Sequence, residues 1–371
     1  MIIGIPKEIK PQENRVGMTP AGIHALSSAG HTCYVEASAG LSSSFTDEEY
    51  EKAGATILDT AAEVYAVSDF IIKVKEPQPS EYPMLKSGQI MFTYLHLAPE
   101  PELTRALMDS EIIGIAYETV QLSDRSLPLL SPMSEIAGSM SVQIGAHLLE
   151  KPSGGRGVLL GGAVGVEPAR VVVVGGGTVG ANAVKVACGM GAQVTVLDIS
   201  QKKLSQLHSL YENRVVTLMS NSYNLEHSIS QADLLVGAVL IPGDKAPKLV
   251  TEEMVKSMPS GSVIVDVAID QGGCIETCDR ITTLENPYYI KHGVLHYSVA
   301  NMPGAVPRTS TMALTNATLP YALKIAQRGA EKAMRENPAL MKGLNVYKGS
   351  LTLRAVANAQ GFEYTHVDDL F

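Results

Sequence analysis

The sequence predicts an α/β protein with two domains, each built on a mostly parallel sheet. The chain has 371 residues, more than the roughly 100–200 residues of an ordinary single domain. Residues 1–120 alternate short apolar runs with helix-like stretches, a pattern typical of βαβ units. A β-branched run at 171–174 is followed at once by glycines and another helix-like stretch, which predicts a second α/β domain.

Composition favours an enzyme that acts on small molecules. Hydrophobic residues make up 45% of the chain and charged residues 18%, as in ordinary globular proteins. The net charge of −9 disfavours nucleic acid or an anionic membrane as the main partner. There is no run of ~18 apolar residues and no signal-peptide pattern, so neither a membrane span nor secretion is expected. We therefore expect a cytoplasmic protein whose cysteines are reduced.

The sequence gives no reason to expect a metal site. Cys274 and Cys278 could be grouped with His292 and His296. Their spacing, however, matches no standard zinc pattern. The predicted function therefore includes no metal.

The first domain is predicted from five apolar runs that should form strands. These runs are MIIGIP, HTCYVEA, DFIIKVKEP, QIMFTYLHLAP and EIIGIAYETV. Candidate helices lie between them at 20–29, 47–53 and 100–108, and a longer helical pattern opens at the Ser-Pro of 131–132. After Pro307 the chain reads as one long helix, TSTMALTNATLPYALKIAQRGAEKAM, and a short tail without a strand. We expect this helix to return to the first domain, which would make that domain discontinuous.

The second domain carries a glycine fingerprint. Gly175, Gly177 and Gly180 lie between a predicted strand and a predicted helix. In a Rossmann fold the first glycine permits a tight turn, the second lets the backbone approach a pyrophosphate, and the third lets helix and strand pack closely. Amides at the start of the helix then face the anion. The fingerprint therefore predicts a Rossmann domain that binds a dinucleotide.

The acid that follows predicts NAD rather than NADP. Asp198 ends the next strand, 198 − 177 = 21 residues beyond Gly177, where a carboxylate hydrogen-bonds the ribose 2′-hydroxyl and repels a 2′-phosphate. By topology Lys203 and Ser220 would lie near the adenosine, although either could equally be a solvated surface residue. We assign 129–306 to an NAD-binding Rossmann domain, inserted in a discontinuous flavodoxin-like or Rossmann-like substrate domain of 1–128 and 307–371.

Polar residues at the predicted strand ends indicate where a substrate would bind. Ligands of open α/β sheets bind beyond the carboxyl ends of the strands. In the first domain, these ends and the loops after them carry Arg15, Lys75 and His96. In the second domain they carry Asp198, Asp270 and Asn301. We expect these groups to converge on a cleft between the domains.

The segment SVIVDVAIDQGG, residues 262–273, is predicted to be a strand that ends on Asp270. Asp266 would point to the same face, because side chains alternate along a strand. A carboxylate at the end of an apolar strand loses hydration and must find partners or raise its pKa. Asp270 is therefore the candidate for chemistry, and Asp266 is expected to make structural hydrogen bonds.

These residue types suit an amino or keto acid. Arg15 can hold a carboxylate in a bidentate fork, and Lys75 can add a charge and polarise a carbonyl. Lys73 competes with Lys75 for that role. Hydride transfer at the α-carbon requires proton transfer at nitrogen or oxygen, for which His96 and Asp270 are the available acids and bases. On residue type alone, Arg15, Lys75 and His96 could instead be surface or capping residues.

Over its whole length the chain resembles the alanine dehydrogenase family. The similar segments, in order, include GIPKEIKPQENRVGMTP, KVKEPQ, FTYLHLAP, LPLLSPMSEIAG, GGRGVLLGG, VVVVGGGTVG, GAVLIPG, VIVDVAIDQGGC and VANMPGAVPRTSTMALTNATLP. The resemblance implies NAD-dependent oxidative deamination of L-alanine to pyruvate and ammonium, reversible as reductive amination. It also implies a homo-oligomer, usually a hexamer.

The resemblance further implies the site residues. Arg15 and Lys75 would bind the substrate, and His96 and Asp270 would be catalytic, with no step assigned to either. The cofactor site would be lined by Ser134, Gly175, Gly177, Val179, Gly180, Asp198, Lys203, Ser220, Val239, Leu240, Val267, Ala268, Ile269, Asp270, Val299, Ala300, Asn301 and Met302.

The sequence leaves three alternatives open. The NAD-binding component of a proton-translocating transhydrogenase has a similar fold, but that relative typically lacks the set of Lys75, His96 and Asp270. A non-catalytic NAD-binding protein on the same fold is also consistent, because fold does not imply function. Within the enzyme hypothesis, serine, glycine or a larger amino acid could replace alanine, since motifs do not report the volume of a pocket.

Overall fold

The computed structural model describes residues 1–239 and 246–370 and contains two sheets. The chain divides into two units, each with its own sheet. The first unit is Met1–Met133 with Val306–Phe371, and the second is Ser134–Ala305. The α/β class with two domains is therefore confirmed.

The boundaries between the units lie close to the predicted ones. The first falls after Met133 rather than after residue 128, and the second after Ala305 rather than after residue 306. Two contacts keep the segment before Ser134 with the first unit. The Tyr94 hydroxyl donates to the Leu129 carbonyl at 2.6 Å, and Arg15 Nη1 lies 3.0 Å from the Met133 sulfur.

The first unit is built on eight strands, labelled here in chain order. They are β1 (Ile2–Ile5), β2 (Thr32–Glu36), β3 (Ala55–Leu58), β4 (Phe70–Ile72), β5 (Ile90–Thr93), β6 (Ile113–Ala116), β14 (Leu344–Tyr347) and β15 (Ser350–Leu351). Their order in the sheet is β15-β14-β6-β5-β4-β1-β2-β3. β1 to β6 are parallel, whereas β14 pairs antiparallel with both β6 and β15.

The helices of this unit connect successive parallel strands or follow the second unit. They are α1 (Pro20–Ser28), α2 (Asp47–Lys52), α3 (Ala61–Val67), α4 (Pro101–Asp109), α10 (Pro307–Arg328), α11 (Ala330–Arg335), α12 (Pro338–Met341) and α13 (Arg354–Gln360). α2 and α3 begin with capping boxes, Thr46 with Glu49 and Thr60 with Glu63, in which side chains satisfy the first amides of the helix.

The C-terminal part of the chain differs from its prediction in two ways. The single long helix is wrong, because α10 ends at Arg328 and Gly329, with φ of 76°, separates it from α11. The tail is not free of strands either, because β14 joins the first sheet beside β6. Pairing between segments so distant in sequence leaves no local signal beyond a four-residue apolar run.

The second unit is a doubly wound sheet. Its strands are β7 (Arg170–Val174), β8 (Gln193–Asp198), β9 (Val215–Met219), β10 (Leu234–Gly237), β11 (Val263–Asp266), β12 (Tyr288–Lys291) and β13 (Val294–Tyr297). The order is β12-β13-β11-β10-β7-β8-β9, with only β12 antiparallel to its neighbour. The chain order reverses at β7, which lies between β8 and β10, and this is the position where such sheets bind ligands.

The helices of the second unit are α5 (Ser131–Leu148), which begins just before the boundary, α6 (Thr178–Gly189), α7 (Gln201–Tyr211), α8 (Ser222–Ile229) and α9 (Glu252–Lys256). The core under this sheet is formed mainly by Val, Leu and Ile, with Val174, Leu235 and Ile264 fully or almost fully buried. Parallel strands covered on both faces need such continuous apolar runs.

Two strands of the first sheet end earlier than predicted, and carboxylates accept from the backbone amides that lie two and three residues past each end. β4 ends at Ile72 rather than at Lys75, and Glu8 Oε1 accepts from the amides of Val74 and Lys75 at 2.6 and 3.3 Å. β5 ends at Thr93 rather than at His96. There, Glu118 Oε1 accepts from the amides of Leu95 and His96 at 3.1 and 2.7 Å.

The predicted strand ending on Asp270 is also wrong. β11 ends at Asp266, and Asp270 lies in a short 3₁₀ turn, Ile269–Gln271. Asp266 is almost fully buried and accepts backbone hydrogen bonds, as expected of a structural acid. Asp270 is exposed, so it does not share the face or the environment of Asp266.

Candidate active site

Arg15 is held by a neighbouring carboxylate in the loop between β1 and α1. The side chain is 3% exposed, and its Nε and Nη2 donate to Glu13 Oε1 and Oε2 at 2.7 and 2.5 Å. Burial opposes the charge of both groups, but their ion pair lowers the pKa of Glu13 and raises the pKa of Arg15. Glu13 therefore fixes one edge of the guanidinium and keeps it charged.

The two candidate lysines have different surroundings. Lys73 is fully buried, with Nζ 2.9 Å from Glu81 Oε1 and 3.4 Å from Glu8 Oε2. Lys75 is half-buried, and burial together with the charge of Arg15 lowers its pKa. Lys73 is thus part of a buried ion-pair cluster with Glu8 and Glu81. Lys75 instead experiences repulsion from the positive charge of Arg15.

His96 follows β5 in a left-handed backbone conformation, with φ of 48°. Its Nδ1 lies 3.7 Å from Glu76 Oε2, and Glu76 Oε1 also pairs with Lys10. Burial would raise the pKa of Glu76, but His96 and Lys10 lower this pKa to about 2. The Glu76 carboxylate therefore lies between Lys10 and the ring of His96.

The acid stability of the protein should depend on Glu76. Its pKa in the folded state, about 2, lies below the ordinary value of 4.5, so its contribution to the free energy of unfolding is present above pH 4.5 and is lost as the pH falls towards 2. That contribution is about 3 kcal/mol. In urea titrations, the stability difference between wild type and Glu76→Gln should shrink between pH 6 and pH 3.

The matched control is Glu51→Gln, which changes an exposed glutamate of α2. Its difference from wild type should stay within about 0.5 kcal/mol at both pH values. A Glu76→Gln difference that does not depend on pH would contradict the role assigned to this ion pair.

The glycine turn after β7 fits a bound pyrophosphate. Gly175 has φ of 103°, and a Cβ on it would lie 2.6 Å from the Ala238 carbonyl oxygen. A Cβ on Gly180 would lie 1.7 Å from the Gly175 oxygen, so only glycine permits this approach of helix and strand. Gly177 is the N-cap of α6, where the amides of a helix start can face an anion.

Asp198, Lys203 and Ser220 lie together next to that turn. Asp198 Oδ2 accepts from the Gly176 amide at 2.7 Å and lies 3.4 Å from Lys203 Nζ. The Ser220 amide donates to the Asp198 carbonyl at 3.1 Å. A carboxylate at this place fits a ribose with a free 2′-hydroxyl better than a 2′-phosphate.

The other predicted cofactor residues follow β10, β11 and β13, with two exceptions. Ser134 lies in α5 and Val179 in α6. Leu240 lies outside the described residues. Beyond the carboxyl ends of the strands lie Val239, Val267, Ala268, Ile269, Asp270, Val299, Ala300, Asn301 and Met302. The structure thus brings these segments to the same edge of the second sheet as the glycine turn.

Sequence reasoning missed the carboxylates that contact the predicted substrate-binding and catalytic residues of the first unit. Glu13 orients Arg15, Glu76 lies beside His96, and Glu118 accepts the amide of His96. A signal existed for the first two, because Glu13 and Glu76 are near neighbours in sequence of Arg15 and Lys75. Glu118 comes from another strand end and has no such signal.

The described ranges, 1–239 and 246–370, contain neither a candidate membrane span nor a candidate metal site. Within them, no helix combines the length and the apolar character needed to cross a membrane. The same residues contain no group of three or more His, Cys, Asp or Glu side chains placed to hold a metal ion.

A doubly wound sheet with this glycine turn and with Asp198 at the end of β8 defines an NAD-binding α/β protein. The chain belongs to the alanine dehydrogenase/PNT family. The family models for the N-terminal and C-terminal domains match residues 4–137 and 141–354. The predicted family and cofactor are therefore confirmed.

Individual relatives cover nearly the whole chain. An alanine dehydrogenase of Methanococcus maripaludis is 66% identical over 98% of each chain, and one of Staphylococcus haemolyticus is 58% identical over 100% of this chain and 99% of its own. A solved L-alanine dehydrogenase is 52% identical, with a TM-score of 0.94 over 97% of this chain and 99% of that one. A transhydrogenase from Sinorhizobium meliloti is 26% identical, with a TM-score of 0.82 over 96% and 100%.

Proposed function

We propose that this protein is an NAD-dependent amino-acid dehydrogenase that deaminates L-alanine oxidatively to pyruvate and ammonium and catalyses the reverse reductive amination. The observation that carries the proposal is a buried Arg15, fixed by Glu13, whose positive charge acts on Lys75 in a chain that also has the NAD-binding turn. The relatives named alanine dehydrogenase support the same reaction.

Arg15 binds the carboxylate of the amino acid in this proposal. Glu13 accepts from the edge formed by Nε and Nη2, and Nη1 lies 3.0 Å from the Met133 sulfur. A thioether is a weak acceptor, so a substrate carboxylate forms a stronger, charge-assisted hydrogen bond in its place. Lys75, whose pKa is lowered by burial and by Arg15, binds the same ligand and polarises the carbonyl of pyruvate.

His96 and Asp270 carry the proton transfers. The bound cofactor supplies the hydride acceptor for the α-hydrogen of alanine. The chain must then take a proton from the amino group, activate water for attack on the iminium carbon, and return a proton as the carbinolamine releases ammonia. His96 Nδ1 lies 3.7 Å from Glu76 Oε2, and Asp270 is an exposed acid in a short turn. The proposal assigns these steps to the two residues together and not to either one alone.

The decisive experiment is an initial-rate assay. Purified protein with NAD and L-alanine should produce NADH, and a panel of serine, glycine and larger L-amino acids should give lower kcat/KM values. No NADH with any amino acid would refute the proposed function. Hydride exchange between dinucleotides without an amino acid would instead favour the transhydrogenase alternative.

The coenzyme preference should depend on Asp198. Asp198→Ser removes the negative charge that faces the ribose, so kcat/KM should fall for NAD and rise for NADP. We expect the ratio of the two to change by roughly 100-fold, since one buried charge interaction is worth about 2–3 kcal/mol. Steady-state kinetics with both coenzymes would measure the change.

The control for that variant is Glu226→Ser, which removes an exposed acid from α8. It should leave the preference for NAD unchanged. If Asp198→Ser also keeps the wild-type ratio, Asp198 does not select the coenzyme.

We also propose a cytoplasmic homo-oligomer, and a hexamer on the family resemblance. Three apolar side chains between α5 and β7 support self-association, since Leu159, Val164 and Val166 are 71%, 106% and 63% exposed. The cytoplasmic location is supported separately by the four cysteines, which are all free thiols, as in a reducing compartment.

The oligomer can be tested directly. Sedimentation velocity should give a single hexameric species, and Val164→Asp should shift it to smaller ones. A wild-type monomer would exclude the oligomer.

A further inference from the structure

We propose that Asp266 and Lys248 are positioning residues that together hold the segment 267–275 in the shape that presents Asp270. The proposal rests on the proposed function, because it gives Asp270 a part in the reaction. Asp266 closes β11, and Asp270 lies in the 3₁₀ turn that follows. Neither Asp266 nor Lys248 is among the residues assigned above to substrate or cofactor.

The Asp266 carboxylate accepts hydrogen bonds from backbone amides of the segment 267–275. Its Oδ1 accepts from the Ala268 amide at 3.1 Å, and its Oδ2 accepts from the amides of Cys274 and Ile275 at 3.0 and 3.2 Å. The Cys274 sulfur lies 3.7 Å from Oδ1. One side chain that is 1% exposed therefore joins the start of the segment to its end, on either side of Asp270.

The Lys248 ammonium donates hydrogen bonds to backbone carbonyls of the same segment. Its Nζ donates to the Gly272 oxygen at 2.6 Å and to the Ile275 oxygen at 3.0 Å. The amide of Ile275 is bound to Asp266 and its carbonyl to Lys248, so this residue is fixed from both directions. The segment lies beyond the end of β11, so its backbone groups have no strand partner there. The Asp266 carboxylate accepts from its amides and the Lys248 ammonium donates to its carbonyls, and these bonds replace those of a sheet.

The surrounding backbone is shaped to the Asp266 carboxylate. A Cβ on Gly237 would lie 2.9 Å from Oδ1, and one on Gly273, where φ is 72°, would lie 2.6 Å from Oδ2. Burial raises the pKa of Asp266 to about 6, while the three amides and the charge of Lys248 act in the opposite direction. The two side chains therefore support each other electrostatically as well as through the backbone.

The test combines each positioning variant with a change at Asp270. Asp266→Asn places an NH₂ group, which is a donor, against backbone amides that are also donors. Lys248→Met removes the donor at a more exposed position, so this variant should fold normally. Each should lower kcat with NAD and L-alanine, by about tenfold or more for Asp266→Asn and about threefold for Lys248→Met. In an Asp270→Asn background each should lower kcat by less than about twofold, because the group being positioned is already gone.

Two matched controls separate positioning from general stability. Asp233 is also a buried acid of the second unit, but it directly precedes β10, at the amino ends of the parallel strands. Its carboxylate accepts from Arg156 Nη1 and from the Arg170 amide at 2.8 Å each. Asp233→Asn should lower the melting temperature without changing kcat of the folded protein. Lys256→Met, which changes an exposed lysine of α9, should change neither.

Two binding and exchange readouts complete the test. ADP-ribose, which lacks the nicotinamide, should bind both positioning variants within about threefold of wild type, because the Asp198 end of the site is intact. Amide hydrogen exchange should become faster in 267–275 in both variants and stay unchanged in β7 and α6.

Unchanged exchange in 267–275 would overturn the proposal, as would kcat losses that persist in full beside Asp270→Asn. A wild-type protein that does not oxidise L-alanine would refute the proposed function instead. Hydrogen exchange would then still decide whether Asp266 and Lys248 hold the segment.

Discussion

Asp270→Asn should lower kcat for the oxidation of L-alanine by at least ~100-fold, the usual contribution of a positioned acid or base. Asparagine keeps the size of the side chain but cannot accept a proton at neutral pH. Because Asp270 is exposed in a turn beyond β11, the substitution should not unfold the protein. The measurement is kcat at saturating NAD and L-alanine, with the Kd of NAD determined by fluorescence titration and expected to stay within about threefold.

The matched control is Asp279→Asn. Asp279 is a surface acid of the same unit, 2.8 Å from Lys291 Nζ, and has no assigned role. It should leave kcat and the Kd of NAD near their wild-type values. If Asp270→Asn keeps wild-type turnover, Asp270 is neither the acid nor the base, and His96 must act without it.

Arg15→Lys should lower kcat/KM for L-alanine by roughly 100-fold, mainly through KM. The planar guanidinium can bind Glu13 along one edge and a second carboxylate along another, whereas an ammonium is a point charge with one centre. Losing charge-assisted hydrogen bonds to a carboxylate costs about 1.5–3 kcal/mol each. Steady-state kinetics for L-alanine and for pyruvate should show the same loss, since both carry that carboxylate.

The control for Arg15→Lys is Arg308→Lys in the same unit. Arg308 is exposed and donates to the carbonyl oxygens of Ser43 and Ser44. It should change the KM for L-alanine by less than about twofold. An unchanged KM in Arg15→Lys would show that the substrate carboxylate binds elsewhere.

A less conservative change at Arg15 should act on stability as well. Arg15→Met leaves the buried Glu13 carboxylate without its strongest ion-pair partner, and breaking a buried pair in this way typically costs about 3–5 kcal/mol. Comparing the two variants by thermal unfolding would therefore separate the charge of residue 15 from its hydrogen-bonding geometry.

The glycine turn of the second unit could be predicted closely from the sequence. The valines of β7, Gly175, Gly180 and Asp198 determine their own local geometry through β propensity, positive φ and close approach. Arg15, Lys75 and His96 could be nominated because strand ends in α/β sheets face ligands. Leu240 stays a prediction, since it lies outside the described residues.

The three strands that end earlier than predicted share one physical feature. β4, β5 and β11 continue as apolar or extended runs in the sequence, yet each ends early, and the amide two residues past its end donates to the carboxylate of Glu8, Glu118 or Asp266. The first two of these acids come from elsewhere in the chain, so no periodicity within the strand reveals them. Asp266 was visible in the sequence, but its effect depends on Cys274 and Ile275 folding back onto it.

The sequence by itself determined the α/β class, the division into two domains, the NAD-binding turn and the residue types that handle an amino acid, because glycine turns, apolar runs and terminal acids act over a few residues. Only the tertiary structure decided that Lys73 is buried between Glu8 and Glu81 while Lys75 lies near Arg15, and that Asp266 is a buried anchor while Asp270 is exposed. Burial and ion pairing depend on segments far apart in the chain, and these interactions give two similar side chains different environments.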